Sequence, residues 1–199
     1  MTRMITSLLL IAVLAVGAVA AEFETVLNEI KSYDYGDSRE NLTTLTDMLR
    51  QASEDAAQLA EYEAAMLEVL SDKETTFAAK QFLCKELSIM GTEQSVDVLY
   101  DLLMSKNAKH ADIARYALER IPGQAVDEAL LKALKKTKGT IKVGVINTIG
   151  ERQIEEATKP LSKLTTHKDD AIAMAAAAAL GKIATDATAT ALGAAMTDT

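Results

Sequence analysis

From residue 82 onward the chain repeats one pattern four times. Phe82-Leu83 to Ile89-Met90-Gly91, Ile113 to Ile121-Pro122-Gly123, Val143 to Ile149-Gly150 and Ala175 to Leu180-Gly181 each end an apolar helical stretch on an apolar residue or Pro followed by Gly. Glycine after a last helical turn reads as the left-handed residue that other side chains resist. A second amphipathic helix is predicted after each one, over residues 96–103, 125–134, 157–164 and 188–196. Leu103, Leu134 and Leu164, taken as equivalent, are 31 and 30 residues apart. One helix pair cannot bury its apolar face alone, so recurrence at this period predicts stacked pairs, an all-α solenoid.

Composition agrees. With 49% hydrophobic and 25% charged residues the chain can bury a sizeable core, which argues against disorder. Aromatic residues make up only 4%, Trp is absent and Pro occurs twice, a balance that favours helices over strands. Ahead of the repeats a short helix is predicted over 23–31, then a turn at Tyr33-Asp34-Tyr35-Gly36. Asp37-Ser38-Arg39-Glu40 has capping-box spacing and is expected to open a helix with Leu42, Leu45, Met48 and Leu49 on one face. A third helix, about 54–70, turns Leu59, Tyr62, Met66, Leu67 and Leu70 inward, and Ser71-Asp72-Lys73-Glu74 reads as the capping box of the next.

The N-terminus reads as a targeting segment. Arg3 precedes an apolar run from Ile5 that ends in small residues, with an A-x-A-like site at Ala18-Val19-Ala20. Cleavage there leaves Ala21 or Glu22 as the new terminus; a retained anchor is the rival reading, and it normally lacks such a site. The expected localisation is secreted or periplasmic. No Cys stands where a lipoprotein is acylated, and the single Cys84 forms no internal disulfide. The expected organisation is a signal peptide over 1–21, an acidic helical segment over 22–74 and about four repeats over 75–199.

Charge narrows the partners. The full chain carries −8; residues 22–74 hold 14 acids against 4 bases, and residues 75–199 hold 15 against 16. Without a concentrated basic surface or aromatic platforms, nucleic acid is a poor partner. The small apolar stretch from Ala171 to Ala191 lacks the polar outer face that a terminal repeat needs, which points to self-association or to further chain beyond Thr199.

A first helix ending Leu-Gly or Ile-Gly, a short turn, Ala-x-x-x-Leu and an inter-repeat Asp or Asn together resemble the HEAT-repeat superfamily over about 75–196. Gln81 to Leu87, Ala114 to Glu119 and Val143 to Gly150 further resemble HEAT regions in large exported proteins of planctomycete-like bacteria. There the repeats commonly flank a catalytic or carbohydrate-directed domain. The resemblance implies an α-solenoid that holds a protein partner. Some HEAT-like proteins are pigment lyases or metal-dependent hydroxylases, which supplies the alternative, an enzyme or enzyme subunit. The His-Glu dipeptides of those hydroxylases are missing here.

Motifs for chemistry are few. There is no GxGxxG, P-loop, G-x-S-x-G or H-E-x-x-H pattern, so neither catalytic residue, cofactor nor metal is expected. His110 and His167, each near Asp, read as cap or turn residues rather than ligands. Cys84, among Phe82, Leu83 and Leu87, reads as buried. Asp127-Glu128 and Glu155-Glu156 point about 100° apart on a helix and suit helix starts. Lys132, Lys135, Lys136, Lys138 and Lys142 form the one basic cluster, either solvated charge at a helix end or an acidic-partner patch. If second helices line the concave face, Asp101, Lys132 and Ser162 form one row, with Tyr100, Lys135, Lys159 and Lys163 beside it. Tyr100, Asp101, Lys132, Lys135, Lys159 and Lys163 are therefore the expected partner-binding residues.

Overall fold

The computed structural model describes residues 20–183 and Gly193. The signal segment expected over 1–21 and the last second helix, over 188–196, lie almost wholly outside these residues. Every regular element among those described is helical. In order they are α1 (20–31), α2 (Glu40–Gln51), α3 (Ala56–Ser71), α4 (Phe77–Met90), α5 (Val96–Leu103), α6 (Ala108–Arg120), α7 (Gln124–Lys136), α8 (Gly139–Glu151), α9 (Thr158–Leu164) and α10 (Asp170–Ile183). Single 3-10 turns, Glu93–Ser95 and Glu155–Ala157, lead into α5 and α9. The chain divides into two compact units between Leu83 and Cys84, within α4.

In the first unit, apolar residues at helical spacing build the core. Phe23, Leu27 and Ile30 of α1 are buried, as are Leu42, Leu45 and Leu49 of α2 and Tyr62, Met66, Leu67 and Leu70 of α3. Phe23 stacks on Tyr62 with centroids 3.6 Å apart. Burial, followed by the charges of Glu22 and Glu61, pushes the Tyr62 hydroxyl above its ordinary pKa. Leu59 and Met48 are half-buried rather than inward.

Neither capping box forms where the sequence suggested. Arg39 is the N-cap of α2 and makes no side-chain cap bond, while Asp37 instead accepts from the Asp34 N–H at 2.8 Å. Ser71 is the last residue of α3; the α4 helix is capped by Thr76, whose Oγ1 accepts from the Ala79 N–H. Asp55, at the start of α3, accepts from Ala57 and Gln58 in the regular N-cap manner.

The repeats keep a strict 31-residue register. Leu87, Leu118, Ile149 and Leu180 are spaced at this interval on α4, α6, α8 and α10, and each is fully buried. So are Leu99, Leu130 and Leu161 on the second helices. Leu103 and Leu134 are buried too, but Leu164 is only half-buried, because the position 31 after Leu134 is Thr165. The equivalence assigned to Leu164 is thus one residue out, and Leu161 is the true seam residue of α9. Positions Thr76, Asn107, Lys138 and Asp169 precede the four first helices at the same interval. Three of them cap through a side-chain oxygen, while Lys138 has no such oxygen.

The glycines serve close packing more than left-handed turns. Gly150 lies inside α8, where a Cβ would come 2.8 Å from the Ala179 Cα of α10; only glycine lets these helices approach so closely. The left-handed residue after α8 is Gln153, with φ 55°, and the Ile154 N–H closes a Schellman bond to the Ile149 carbonyl at 3.1 Å. Gly91 is likewise crowded, by Leu87 and Ile121. Gly123 alone of the four has a positive φ, 116°, and it starts α7 rather than ending α6. There the absent side chain leaves room for Glu93, which accepts from the Ala125 N–H at 3.2 Å and caps the helix from the neighbouring turn.

Candidate interaction surface

The second helices α5, α7 and α9 are short and amphipathic, so the face opposite the buried stripe is polar. In the 31-residue register Asp97, Glu128 and Lys159 form one row, and Asp101, Lys132 and Lys163 the next; all six are exposed. Lys163, not Ser162, therefore completes the row that begins at Asp101. Charge changes sign along the strip, from two aspartates on α5 through mixed charge on α7 to two lysines on α9. Lys135 is exposed one turn on from Lys132.

Tyr100 departs from expectation. It belongs to the buried stripe of α5, between Val96 and Leu103, and is only 8% exposed. Among the described residues its hydroxyl has no hydrogen-bond partner. The Lys132 ammonium lies 4.5 Å from the ring centroid, a cation–π contact between α5 and α7 that holds the lysine over the tyrosine. Tyr100 supports Lys132 rather than offering an exposed anchor.

The basic cluster divides. Lys132, Lys135, Lys136 and Lys138 are exposed, whereas Lys142 is half-buried and donates to the Leu134 carbonyl; desolvation lowers its pKa. Among the acidic pairs, Asp127 accepts from Arg152 Nε at 2.6 Å and Glu128 from Gln124 at 3.0 Å, so the two act on different partners. Arg152, 12% exposed, also donates to the carbonyls of Leu118, Glu119 and Ile121, capping α6 from the end of α8. Sequence reasoning passed over this hub, although an Arg set just after Ile149-Gly150 was its signal.

Cys84 is buried, as expected. His167 Nδ1 accepts from the Asp169 N–H at 3.0 Å, a turn role. Among the described residues no group of His, Cys, Asp and Glu is placed to hold a metal. No helix among them is long and apolar enough to cross a membrane. On the first-helix side, a cleft of about 220 Å³ opens between α6 and α8, lined by Leu103, Ala111, Asp112, Arg115 and Ile141 among others. Arg115 there is bound by Asp112 at 2.8 Å, Glu119 at 2.9 Å and Thr148 at 3.0 Å.

Residues 127–199 match the family model of HEAT repeats, which supports placing the repeat segment in the HEAT-repeat superfamily. The all-helical architecture is that of an α-solenoid. HEAT repeats commonly serve as protein-interaction scaffolds. No curated protein matches the chain.

Proposed function

We propose that this chain is an exported protein-interaction scaffold, serving as the non-catalytic module of a larger secreted protein, and that its partner binds along the exposed strip of α5, α7 and α9. The observation that carries this reading is the charge gradient. Asp97 and Asp101 at one end, and Lys159 and Lys163 at the other, suit an extended or helical partner segment of opposite polarity. Lys132, Lys135, Lys159, Lys163 and Asp101 are the contact residues, with Tyr100 beneath Lys132. Export rests on the N-terminal segment. Cleavage before Ala21 or Glu22 leaves the buried Phe23, Val26, Leu27 and Ile30 in place. Mass spectrometry of secreted material should find a chain beginning at one of these two residues, and an intact Met1 in a membrane fraction would contradict export.

The test of the surface is charge reversal. With Lys132, Lys135 and Lys163 all changed to Glu, circular dichroism should report unchanged helicity, since all three are exposed, while affinity for a native extracellular partner falls on the order of tenfold or more. Unchanged affinity, or a loss seen only on altering the first helices or the acidic segment, contradicts it. The non-enzymatic part of the proposal predicts that the purified protein carries no stoichiometric metal by elemental analysis.

A further inference from the structure

Where the last first helices end, charges close between elements: Lys182 of α10 with Glu151 of α8, and Arg152 with Asp127 of α7 at 2.6 Å. On the α5–α7–α9 strip the outer charges stay open. Asp97, Asp101, Lys159 and Lys163 are exposed and, among the described residues, their side chains enter no ion pair or hydrogen bond. The central pair is held within the chain, since Glu128 accepts from Gln124 at 3.0 Å and Lys132 lies over the Tyr100 ring. The strip therefore offers two unmatched negative charges on α5 and two unmatched positive charges on α9. Each pair is four residues apart and so lies one turn apart on its helix.

Spacing decides the shape of what fits. Helices packed side by side lie about 8–10 Å apart, and α5 and α7 touch through Tyr100 and Lys132. An extended segment advances about 3.3 Å per residue, so one such step takes about three residues, an odd number that turns successive contacts to opposite faces. An α-helix advances about 1.5 Å per residue and covers a step of about 10 Å in about seven residues, or two turns, which brings back the same face. Apolar contact is available beside the charges. The 31-residue register sets Val98, Ala129 and Pro160 in one row and Leu102, Ala133 and Leu164 in another. The four outer side chains are half-buried, whereas α7 contributes only the methyl groups of two buried alanines. An apolar ridge on a helix fits such a low centre.

On the reading of the strip as the binding face, we infer that its occupant is an amphipathic α-helix of a partner protein, about four turns long. Its acidic first turn lies on Lys159 and Lys163, and its basic last turn on Asp97 and Asp101. Acids in the first turn and bases in the last stabilise a helix through its dipole, so this is the charge order a helix carries most readily. The strip matches that order in one direction only. The partner helix thus runs from α9 to α5, against the order of the repeats.

The probe is an alanine- and leucine-based peptide of about sixteen residues, with two Glu in its first turn and two Lys in its last, locked helical by a hydrocarbon staple away from the charges. It is titrated at low salt into the ¹⁵N-labelled full chain, beside an unstapled version whose central Pro keeps the charge order but breaks the helix. The stapled peptide should give saturable amide shifts on α5, α7 and α9, and the proline peptide should bind at least tenfold more weakly. A nitroxide at the peptide N-terminus should broaden residues around Lys159 to Lys163, and one at its C-terminus those around Asp97 to Asp101. Lys159→Glu with Lys163→Glu, both at exposed positions, should weaken the stapled peptide at least fivefold, and exchanging its two Glu for Lys should restore binding. Equal affinity of the two peptides for the strip, or broadening reversed between α5 and α9, would overturn the helix or its direction while leaving the strip as binding face. Shifts elsewhere, or none, also overturn the inference, and the strip then stands or falls separately on the charge reversal tested with native material. A chain that dimerises alone, and no longer does so in the lysine variant, overturns it too, since the occupant is then a second copy.

Discussion

Asp72 shows how one side chain couples the first unit to pH. The Lys31 ammonium, and next the Glu74 N–H, hold its carboxyl below the ordinary aspartate value. A carboxyl depressed in the folded state adds stability above its unfolded pKa, and that stability is lost as pH falls through the folded one. Asp72→Asn should therefore flatten the acid limb: between pH 7 and pH 3 the urea midpoint of the parent should drop further than that of the variant. Equal drops would show that Asp72 is not coupled to folding. Arg152 is the other residue on which much rests, since one guanidinium meets two carbonyls of α6, the Ile121 carbonyl just after it and the Asp127 carboxylate of α7. Arg152→Ala should cost about 2–3 kcal/mol in denaturant unfolding, as charged hydrogen bonds are lost and buried acceptors orphaned. A change near zero would mean that water replaces it.

At the scale of helices, the glycines separate close approach from ordinary propensity. Gly150→Ala pushes a methyl into the Ala179 backbone and should destabilise by about 1–3 kcal/mol, whereas Gly181→Ala, with open space around its Cβ, should be neutral or stabilising by up to about 1 kcal/mol. Thermal melts of the two variants moving in the same direction would contradict the packing of α8 on α10. The seam leucines give a second comparison: Leu99, Leu130 or Leu161 to Ala should each cost about 2–5 kcal/mol, and Leu164→Ala roughly half as much or less. Helix pairs and buried stripes were legible in the sequence because periodicity alone selects the residues that face a neighbour. Caps were not. Asp37 and Ser71 have the right spacing, but which residue caps depends on where the previous helix stops, and α3 runs on through Ser71. The glycines misled for a similar reason, because Leu-Gly and Ile-Gly look alike whether the Gly turns the chain or admits another helix. Tyr100 could have been recognised as core, lying four residues after Val96 and three before Leu103 on one face.

For the chain as a whole, the 31-residue register turns separate helices into a surface that no single repeat possesses. Strict spacing brings Asp101, Lys132 and Lys163 to equivalent positions and reverses the charge along them. The strip was partly legible, as its lysines were found but its register was set one residue out at α9. The 3-10 turn Glu155–Ala157 ahead of α9 keeps Leu161 in phase, and its effect on spacing cannot be read from apolar periodicity. Site-specific photo-crosslinking tests the central reading most directly. A benzophenone residue placed in turn at 101, 132 and 163, and for comparison at the exposed first-helix positions Tyr116 and Asn147, is irradiated in the presence of native extracellular material. The strip positions should trap one common partner, lost when Lys132, Lys135 and Lys163 become Glu, while positions 116 and 147 trap none. Crosslinks to that partner from 116 and 147 alone, or equally from both faces, would contradict binding along the second helices.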